Sequence, residues 1–237
     1  WNFPFLIACW KVAPALAAGN SVVLKPASLT PLTALLLGQL AQEAGLPDGV
    51  LQVLPGAGSE AGNALTTHPL VRKISFTGST EVGSKIMKLA ADDIKRVSLE
   101  LGGKSPNIVF AEADWQRAAT ESPMSVFANT GQDCCARSRM FIEQPIFNDF
   151  VNQFVAATES LKIGDPTNDE TQLGPMVSAA QREISESFVT EARDAGRDIR
   201  TGGERQGEHG FYLNPAVITD VKTGDRAWCE EIFGPVV

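Results

Sequence analysis

The stretch that decides the fold is "VRKISFTGSTEVGSKIMKLAADDIKRVSLELGG", residues 71–103. Residues 71–78 predict a strand, residues 79–91 predict a helix, and residues 95–103 predict a second strand. Strands separated by a helix of this length pair in parallel and belong to β-α units. In parallel sheets of this kind, ligands bind at the carboxyl ends of the strands.

The same alternation extends toward the N-terminus. "SVVLKP" (21–26) and "GVLQVLPG" (49–56) predict strands, and "TPLTALLLGQLAQEAG" (30–45) and "SEAGNALTTH" (59–68) predict helices. In the first of these helices Thr30 is a candidate N-cap and Pro31 takes the first helical position. The predicted class is therefore α/β, with a doubly wound parallel sheet.

After Gly102–Gly103 the pattern starts again, so we expect a domain boundary there, between residues 1–102 and 103–237. "SPNIVF" and "RMFIE" predict strands, and "PIFNDFVNQFVAATESL" predicts a helix. Another helix is predicted in "ADWQRAATESPMSVFANTG", where Pro123 should disturb it. A helix at about residues 178–195 and short strands around "DIRTGG" and "NPAVIT" complete the second predicted α/β domain.

Composition excludes several classes of protein. The 237 residues are 43% hydrophobic and 20% charged, as in soluble globular domains, and the net charge of −8 argues against a general affinity for nucleic acid or anionic membranes. Four scattered cysteines and two histidines predict neither a disulfide framework nor a metal site. No apolar run is long enough to span a bilayer, and a reducing, cytoplasmic compartment is expected.

The sequence begins at Trp1 without a methionine and ends in "EEIFGPVV", inside what looks like ordered structure. We therefore expect an internal fragment of a longer protein, in which any targeting signal would precede Trp1.

Two motifs lie at the ends of predicted strands. In "FTGSTEVG" (76–83), Gly78 makes a turn and Ser79 or Thr80 can cap the next helix, whose free N–H groups suit a phosphate. The alternative is an ordinary capped helix. In "SLELGG" (98–103), a buried Glu100 would have a raised pKa and act as a general base. The alternative is a surface glutamate on an edge strand. The alternation of side chains along the strand permits it, and this motif taken alone favours it.

Adjacent cysteines, Cys134 and Cys135, lie in the polar segment "NTGQDCCARSR" (129–139). In an extended segment neighbouring side chains point to opposite sides, so at most one sulfur can face a given pocket. Arg137 and Arg139 should favour the nucleophilic thiolate. The alternative is two small buried apolar residues. Without a histidine base, a thiol beside a carboxylate and a dinucleotide site indicates oxidation of a carbonyl through a thioester.

Five segments together resemble the aldehyde dehydrogenase superfamily. They are "WNFPF" (1–5), "KPAS" (25–28), "FTGSTEVG" (76–83), "LELGGKSP" (99–106) with "GQDC" (131–134), and "EEIFGP" (230–235). The resemblance implies that residues 1–102 are part of a Rossmann-like NAD(P)-binding domain and residues 103–237 part of a catalytic domain. It also implies homodimers or homotetramers of the full-length protein. Against the family pattern, the first part of the cofactor domain, the C-terminal segment and the oligomerisation strands are missing.

The resemblance assigns roles to individual residues. It makes Cys134 the nucleophile, Glu100 the general base for the hydrolytic water, and Asn2 the side chain that, with the Cys134 N–H, stabilises the oxyanion. Lys25 would bind the adenosine ribose, Gly78 and Ser79 the pyrophosphate, and Glu231 the nicotinamide ribose. The full set of implied cofactor-binding residues is Trp1, Lys25, Ser28, Gly78, Ser79, Gly83, Leu101, Glu231 and Phe233.

The implied reaction oxidises a small aldehyde to a carboxylic acid with NAD or NADP. The Cys134 thiolate adds to the aldehyde, hydride leaves for the nicotinamide, and water activated by Glu100 hydrolyses the thioester. Glu100 favours hydrolysis over the acylating branch of the superfamily, which passes the acyl group to coenzyme A. A reductase of acyl-CoA or acyl phosphate on the same scaffold is one alternative. A non-catalytic, nucleotide-binding member of the family is the other alternative.

Two positions depart from the family pattern. Ser28 stands where NAD-dependent members often carry glutamate, and without that carboxylate a 2′-phosphate is not repelled, so we expect NADP to be accepted and slightly preferred. Asp133, before the nucleophile, replaces an apolar or small residue. It would attract a cationic aminoaldehyde or, alternatively, face away and pair with Arg137.

Overall fold

The computed structural model describes all residues from 1 to 237, and the chain divides into two compact units, Trp1–Gly102 and Gly103–Val237. None of its helices combines the length and the apolar character that crossing a bilayer requires.

The first unit alternates helices and strands. Its helices are α1 (Pro4–Ala17), α2 (Leu32–Glu43), α3 (Asn63–Thr67) and α4 (Thr80–Ala91), with one π-helical turn at Gly58–Gly62. Its strands are β1 (Val22–Leu24), β2 (Leu51–Val53), β3 (Lys73–Gly78) and β4 (Arg96–Leu101). Strand β1 pairs in parallel with β2, and β3 pairs in parallel with β4. The predicted parallel α/β pattern is confirmed, with the strands hydrogen-bonded two by two.

The second unit repeats this pattern and then departs from it. Strands β5 (Pro106–Val109) and β6 (Arg139–Ile142) pair in parallel, while β7 (Asp198–Thr201) and β8 (Val217–Thr219) pair antiparallel. Its helices are α5 (Trp115–Phe127), α6 (Phe147–Glu159), α7 (Ala179–Asp194) and the single turn α8 (Arg226–Cys229). A turn at Ala128–Gly131, whose backbone is not helical, follows α5, and a short 3₁₀ turn at Gln144–Ile146 precedes α6.

The second unit has two apolar cores. The larger core brings the aromatic rings of α5 and α6 together, with Phe127, Phe150 and Phe154 almost completely buried. The smaller one packs Phe188 and Val189 of α7 against Ile218 of β8 and against Ile232. Phe127, the last residue of α5, belongs to the larger core, so the start of the loop that follows α5 is anchored in packed side chains.

One local expectation is wrong, a second is met without a break in the helix, and one helix was not predicted. Helix α2 begins at Leu32 after Pro31, and the Thr30 hydroxyl is buried without a hydrogen bond instead of capping the helix. Helix α5 contains Pro123 without ending there, because the helix continues to Phe127. Helix α1 was not predicted from the sequence. It begins with Pro4 at its first position.

Candidate functional site

The carboxyl ends of β1 and β2 bring two predicted cofactor residues to one carbonyl. Lys25 Nζ donates to the carbonyl oxygen of Gly56 at 3.3 Å and to that of Pro26 at 2.8 Å. The Ser28 hydroxyl donates to the same Gly56 oxygen at 3.4 Å. Burial lowers the pKa of Lys25. An ammonium group has three hydrogens, so the two carbonyls leave Lys25 one donor for a ligand.

The carboxyl end of β3 carries the predicted phosphate turn. Ser79 is the N-cap of α4, and its Oγ accepts a hydrogen bond from the Val82 N–H at 3.3 Å. Gly78 and Ser79 are both exposed. This cap leaves the N–H groups of Thr80 and Glu81 without intrahelical partners, as at the start of any helix. Of the two residues predicted to cap this helix, Ser79 is the cap, and the phosphate contact stays a prediction.

Gly83 and Leu101 contact each other inside the first unit. A Cβ atom added at Gly83 would lie 2.6 Å from Leu101 Cδ2, so any larger residue would push the leucine away. Gly83 is buried and Leu101 is half-buried at the end of β4. The structure therefore gives Gly83 a packing role between α4 and β4, and its cofactor contact stays a prediction.

Glu100 lies on the exposed face of β4, where exposed and half-buried residues alternate from Arg96 to Leu101. The burial invoked for a general base is therefore wrong, and the surface-strand alternative is the observed one. The carboxylate does have a cation near it. Burial lowers the pKa of Lys11, and the negative charge of Glu100 opposes that shift. Lys11 also donates to the Ser75 hydroxyl of β3 at 3.2 Å.

Trp1 and Asn2 directly precede α1, and both side chains are half-buried. The roles implied for them, in cofactor binding and oxyanion stabilisation, stay predictions.

In the second unit the two adjacent cysteines lie in a tight turn. The Ala136 N–H donates to the Asp133 carbonyl at 3.1 Å, and the Cys135 N–H donates to Asp133 Oδ1 at 2.9 Å. The sulfurs of Cys134 and Cys135 are 3.9 Å apart, and both cysteines are exposed. The expectation of an extended segment with the two side chains on opposite sides is therefore wrong. An aspartate at the first position of a turn bends the chain and brings both thiols to one side.

The surroundings of Cys134 keep its thiol protonated. Loss of water around the sulfur, then the neighbouring Cys135 and the carboxylate of Asp133, raise the pKa of Cys134 to about 11. The expected activation by arginines is also wrong. Arg139 donates instead to the carbonyls of Lys104 and Trp228 and lies over the rings of Phe141 and Trp228.

The loop before the cysteine turn has an unusual backbone. Asn129, Thr130 and Gly131 all adopt left-handed conformations, with φ of 52°, 58° and 69°. Such a conformation is a genuine outlier for the β-branched Thr130 and needs support from its surroundings. Thr130 is 2% exposed, and its hydroxyl donates to the Gly174 carbonyl at 2.9 Å. Gln132 Oε1 accepts from the Val177 N–H at 2.9 Å.

Gly131 is in direct contact with the segment that contains Phe233. A Cβ atom at Gly131 would overlap the carbonyl group of Gly234. The Phe233 carbonyl accepts a hydrogen bond from Gln181 Nε2 at 3.1 Å, and Phe233 itself has a left-handed φ of 56°. The cysteine loop and the residues of "EEIFGP" are thus packed backbone to backbone.

Glu231 lies against the first residues of the second unit. Its Oε1 accepts from the Gly103 N–H at 3.3 Å. Burial raises the pKa of Glu231, while the Gly103 N–H and the charge of Lys104 oppose the shift. The Lys104 amine is buried without a hydrogen-bond partner, and burial, followed by the charge of Arg139, lowers the pKa of Lys104 to about 8.

Comparison with known proteins shows the family of this chain. The sequence profile of the aldehyde dehydrogenase family matches residues 1–237. The chain belongs to the aldehyde dehydrogenase family. It spans about half the length of the curated relatives it matches.

Three similar proteins illustrate this membership. Aminoaldehyde dehydrogenase 2, peroxisomal, from Pisum sativum is 49% identical over the whole chain, which corresponds to 48% of the pea protein. A mutant of aldehyde dehydrogenase C from Pseudomonas syringae, solved with NAD+ and octanal, is 40% identical, with a TM-score of 0.97 over the whole chain and 50% of that structure. An NADP-dependent enzyme of E. coli is 41% identical, with a TM-score of 0.96 over the whole chain and 49% of that structure.

Sequence reasoning missed the residues that hold the cysteine loop of this aldehyde dehydrogenase chain. Thr130 and Gln132 lie within the polar segment 129–139, and their side chains could have indicated hydrogen bonds that hold the loop. Gln181 lies in α7, 52 residues before the carbonyl to which it donates, and nothing in the sequence near it marks that contact.

Proposed function

We propose that the full-length protein oxidises an aldehyde to a carboxylic acid with NAD or NADP. The observation that carries this proposal is the family match over all 237 residues. The position of Cys134, an exposed residue in a turn next to the loop that Thr130 and Gln132 hold in place, supports it. Residues 1–102 would then contribute to cofactor binding and residues 103–237 to catalysis.

The residues at the strand ends fit a dinucleotide. Lys25 keeps one N–H donor free beside the carboxyl ends of β1 and β2, and the helix start at Ser79 offers unpaired N–H groups to a pyrophosphate. Both are expected of a cofactor site at the carboxyl edge of parallel strands. The residues proposed to hold the cofactor are Trp1, Lys25, Ser28, Gly78, Ser79, Gly83, Leu101, Glu231 and Phe233. When bound, the oxidised nicotinamide supplies the hydride acceptor.

The chain's own groups carry out the covalent chemistry. Cys134 gives its proton to solvent, and its sulfur bonds to the carbonyl carbon while the π electrons move to the oxygen, which gives a thiohemiacetal oxyanion. The Asn2 amide and the Cys134 N–H donate to the oxyanion, and such preorganised donors favour the charge that develops there. After oxidation a thioester remains on Cys134. The carboxylate of Glu100 takes a proton from water, and the resulting hydroxide releases the acid.

Glu100 decides between hydrolysis and acyl transfer. A carboxylate at the end of β4 can activate water, which an enzyme that passes its acyl group to coenzyme A or phosphate does not need. The alternative of a non-catalytic member has one observation in its favour, because a thiol whose pKa is raised to about 11 is almost entirely protonated at neutral pH. Catalysis therefore requires that the bound state lower the pKa of Cys134.

The experiment follows reduced nicotinamide by absorbance while the full-length protein turns over an aldehyde. Cys134→Ala should abolish turnover, whereas the adjacent Cys135→Ala should keep most of it. Glu100→Gln should give one rapid turnover of reduced cofactor and then a slow steady state, because the thioester forms but is not hydrolysed. Turnover by Cys134→Ala at the wild-type rate would refute the proposal.

Cofactor preference rests on Ser28. Its hydroxyl donates only a long bond to the Gly56 carbonyl and leaves its lone pairs free, and no carboxylate at this position repels a 2′-phosphate. We therefore propose that NADP is accepted and slightly preferred. Values of kcat/KM measured with both cofactors test this, and a strong preference for NAD would contradict it.

A cationic aminoaldehyde is a candidate substrate because of Asp133. This residue forms no ion pair with Arg137, and its Oδ1 accepts from the Cys135 N–H. A relative from pea is named an aminoaldehyde dehydrogenase. The test measures the turnover of an aminoaldehyde and of a neutral aldehyde of equal length, both in wild type and in Asp133→Asn. Equal turnover in wild type would exclude a preference for the cation.

Assembly and location complete the proposal. We expect a homodimer or homotetramer of the full-length protein, with no nucleic-acid or membrane partner. The reducing, cytoplasmic compartment follows from the scattered cysteines, while the pea relative carries the word peroxisomal in its name. Light scattering of the purified protein and cell fractionation test these two points.

A further inference from the structure

The turn of Asp133, Cys134 and Cys135 gathers three groups that bind metal ions. One carboxylate oxygen and the two sulfurs all lie within 4.8 Å of one another. The other two cysteines, Cys9 and Cys229, belong to no such group of three. The proposed reaction uses a single sulfur here, so the second thiol and the carboxylate have no part in its covalent steps.

The distance between the sulfurs matches tetrahedral coordination. Two thiolates bound to Zn²⁺ at about 2.3 Å with a tetrahedral angle are separated by about 3.8 Å. The sulfurs of Cys134 and Cys135 are 3.9 Å apart before any ion is bound. The two sulfurs therefore need almost no rearrangement to bind one such ion, and the carboxylate oxygen lies within 4.8 Å of both.

The charges around the turn also favour a cation. Asp133 contributes a carboxylate, and none of the ion pairs of the structure involves it. Arg139 is held elsewhere by the carbonyls of Lys104 and Trp228. Asp133 Oδ1 is fixed by the Cys135 N–H at 2.9 Å, which holds the carboxylate beside the two sulfurs. Both cysteines are exposed, so an ion in solution can reach them.

We propose that Asp133, Cys134 and Cys135 form a binding site for a thiophilic divalent cation such as Zn²⁺. Each thiol gives its proton to solvent as its sulfur binds the ion, and Asp133 supplies a carboxylate oxygen as the third ligand. Water completes the tetrahedron. If Cys134 is the nucleophile proposed above, the ion occupies its sulfur and inhibits the enzyme reversibly.

The test titrates the full-length protein, reduced and freed of metal, with Cd²⁺ as the probe. Thiolate coordination gives an ultraviolet charge-transfer band, so the reading does not depend on activity. We expect one Cd²⁺ per chain, displaced by Zn²⁺ and removed by a chelator. Cys135→Ser should weaken binding at least tenfold and Asp133→Asn several-fold. The matched control Cys229→Ser, which replaces an isolated exposed cysteine, should bind as wild type.

The outcomes separate the site from the reaction. A wild-type protein without the band, Cys135→Ser binding as tightly as wild type, or Cys229→Ser losing the band would each overturn the metal site. Circular dichroism of each variant confirms that it is folded. A protein that binds Cd²⁺ but never oxidises aldehydes would leave the metal site standing and refute the proposed function. Active protein without the band would do the opposite.

Discussion

Two polar turns of the molecule look alike in sequence and differ in what fixes them. At Ser79 the hydroxyl accepts the Val82 N–H, and at Asp133 the carboxylate accepts the Cys135 N–H. The first turn is complete in itself, because cap and helix are adjacent in the chain. The second follows a loop that is held by residues more than 40 positions away, such as Gly174 and Val177. The cap at Ser79 was readable from the sequence, whereas the loop before Asp133, which distant contacts hold, was not.

The largest expected effect comes from breaking the distant contacts of the cysteine loop. Gly131→Ala forces a side chain into a left-handed conformation and against the Gly234 carbonyl. We expect the free energy of unfolding to fall by about 3 kcal/mol. Chemical denaturation measures it.

Gly196→Ala is the control for the conformational part of that cost. Gly196 has a φ of 70°, almost the same as Gly131, but nothing lies within 4 Å of an added Cβ. It should cost about 1 kcal/mol. Equal losses for the two variants would mean that the contact with Gly234 contributes nothing.

The next effect concerns the amine of Lys104, which is buried. Because the pKa of Lys104 is lowered to about 8 in the folded chain from 10.5, the folded state resists the charged form. Below pH 8 both the folded and the unfolded chain are charged and the cost is full. Above pH 10.5 neither is charged and the cost vanishes, so stability from this residue rises between those values. Lys104→Met should therefore stabilise the protein by about 2 kcal/mol near pH 7 and by much less at alkaline pH.

Lys162→Met serves as the control for Lys104, because Lys162 is an exposed lysine paired with the exposed Glu170. Its replacement should change the unfolding free energy by less than about 1 kcal/mol at any pH. If Lys104→Met destabilised the protein near neutral pH, the attraction between Lys104 and Glu231 would outweigh the cost of burial.

A smaller effect is expected at the local turn. Ser79→Ala removes the cap of α4 and should cost about 1 kcal/mol, because the Val82 N–H loses its partner. Ser84→Ala in the same helix, at an exposed position, should be neutral or slightly stabilising. Thermal unfolding of both variants gives the comparison, and a cost at Ser84 equal to that at Ser79 would argue against the cap.

The smallest expected effects are those of Cys135 and Asp133 on the alkylation rate of the Cys134 thiol. With a chelator present, the rate of its alkylation should rise about tenfold per pH unit well below pH 11, because only the thiolate reacts. Cys135→Ala should raise the rate at pH 8 several-fold, and Asp133→Asn should raise it less. Mass spectrometry of the labelled peptide measures both. Arg137→Gln should change little, and a slower reaction in that variant would restore the arginine as an activating group.

The fold was predictable because its signals are local. The turn at Gly78, the cap at Ser79 and the strands on either side of α4 follow from residues that are neighbours in sequence. The alternation of side chains along β4 predicted only which face of the strand carries Glu100. Whether other parts of the protein cover that face depends on packing. The protonation of Cys134 was not predictable, because Arg139, which follows it closely in sequence, is drawn to the carbonyls of Trp228 and Lys104.

Arg139 has a consequence for exchanging segments between relatives. Its guanidinium joins three stretches that are far apart in the chain, through the carbonyls of Lys104 and Trp228 and from its own place in β6. A lysine would keep the charge but could not span both acceptors with the same planar fork. A chimaera with a crossover between residues 139 and 228 therefore needs both parents to provide compatible halves of this junction, even though the residues concerned carry out no chemistry.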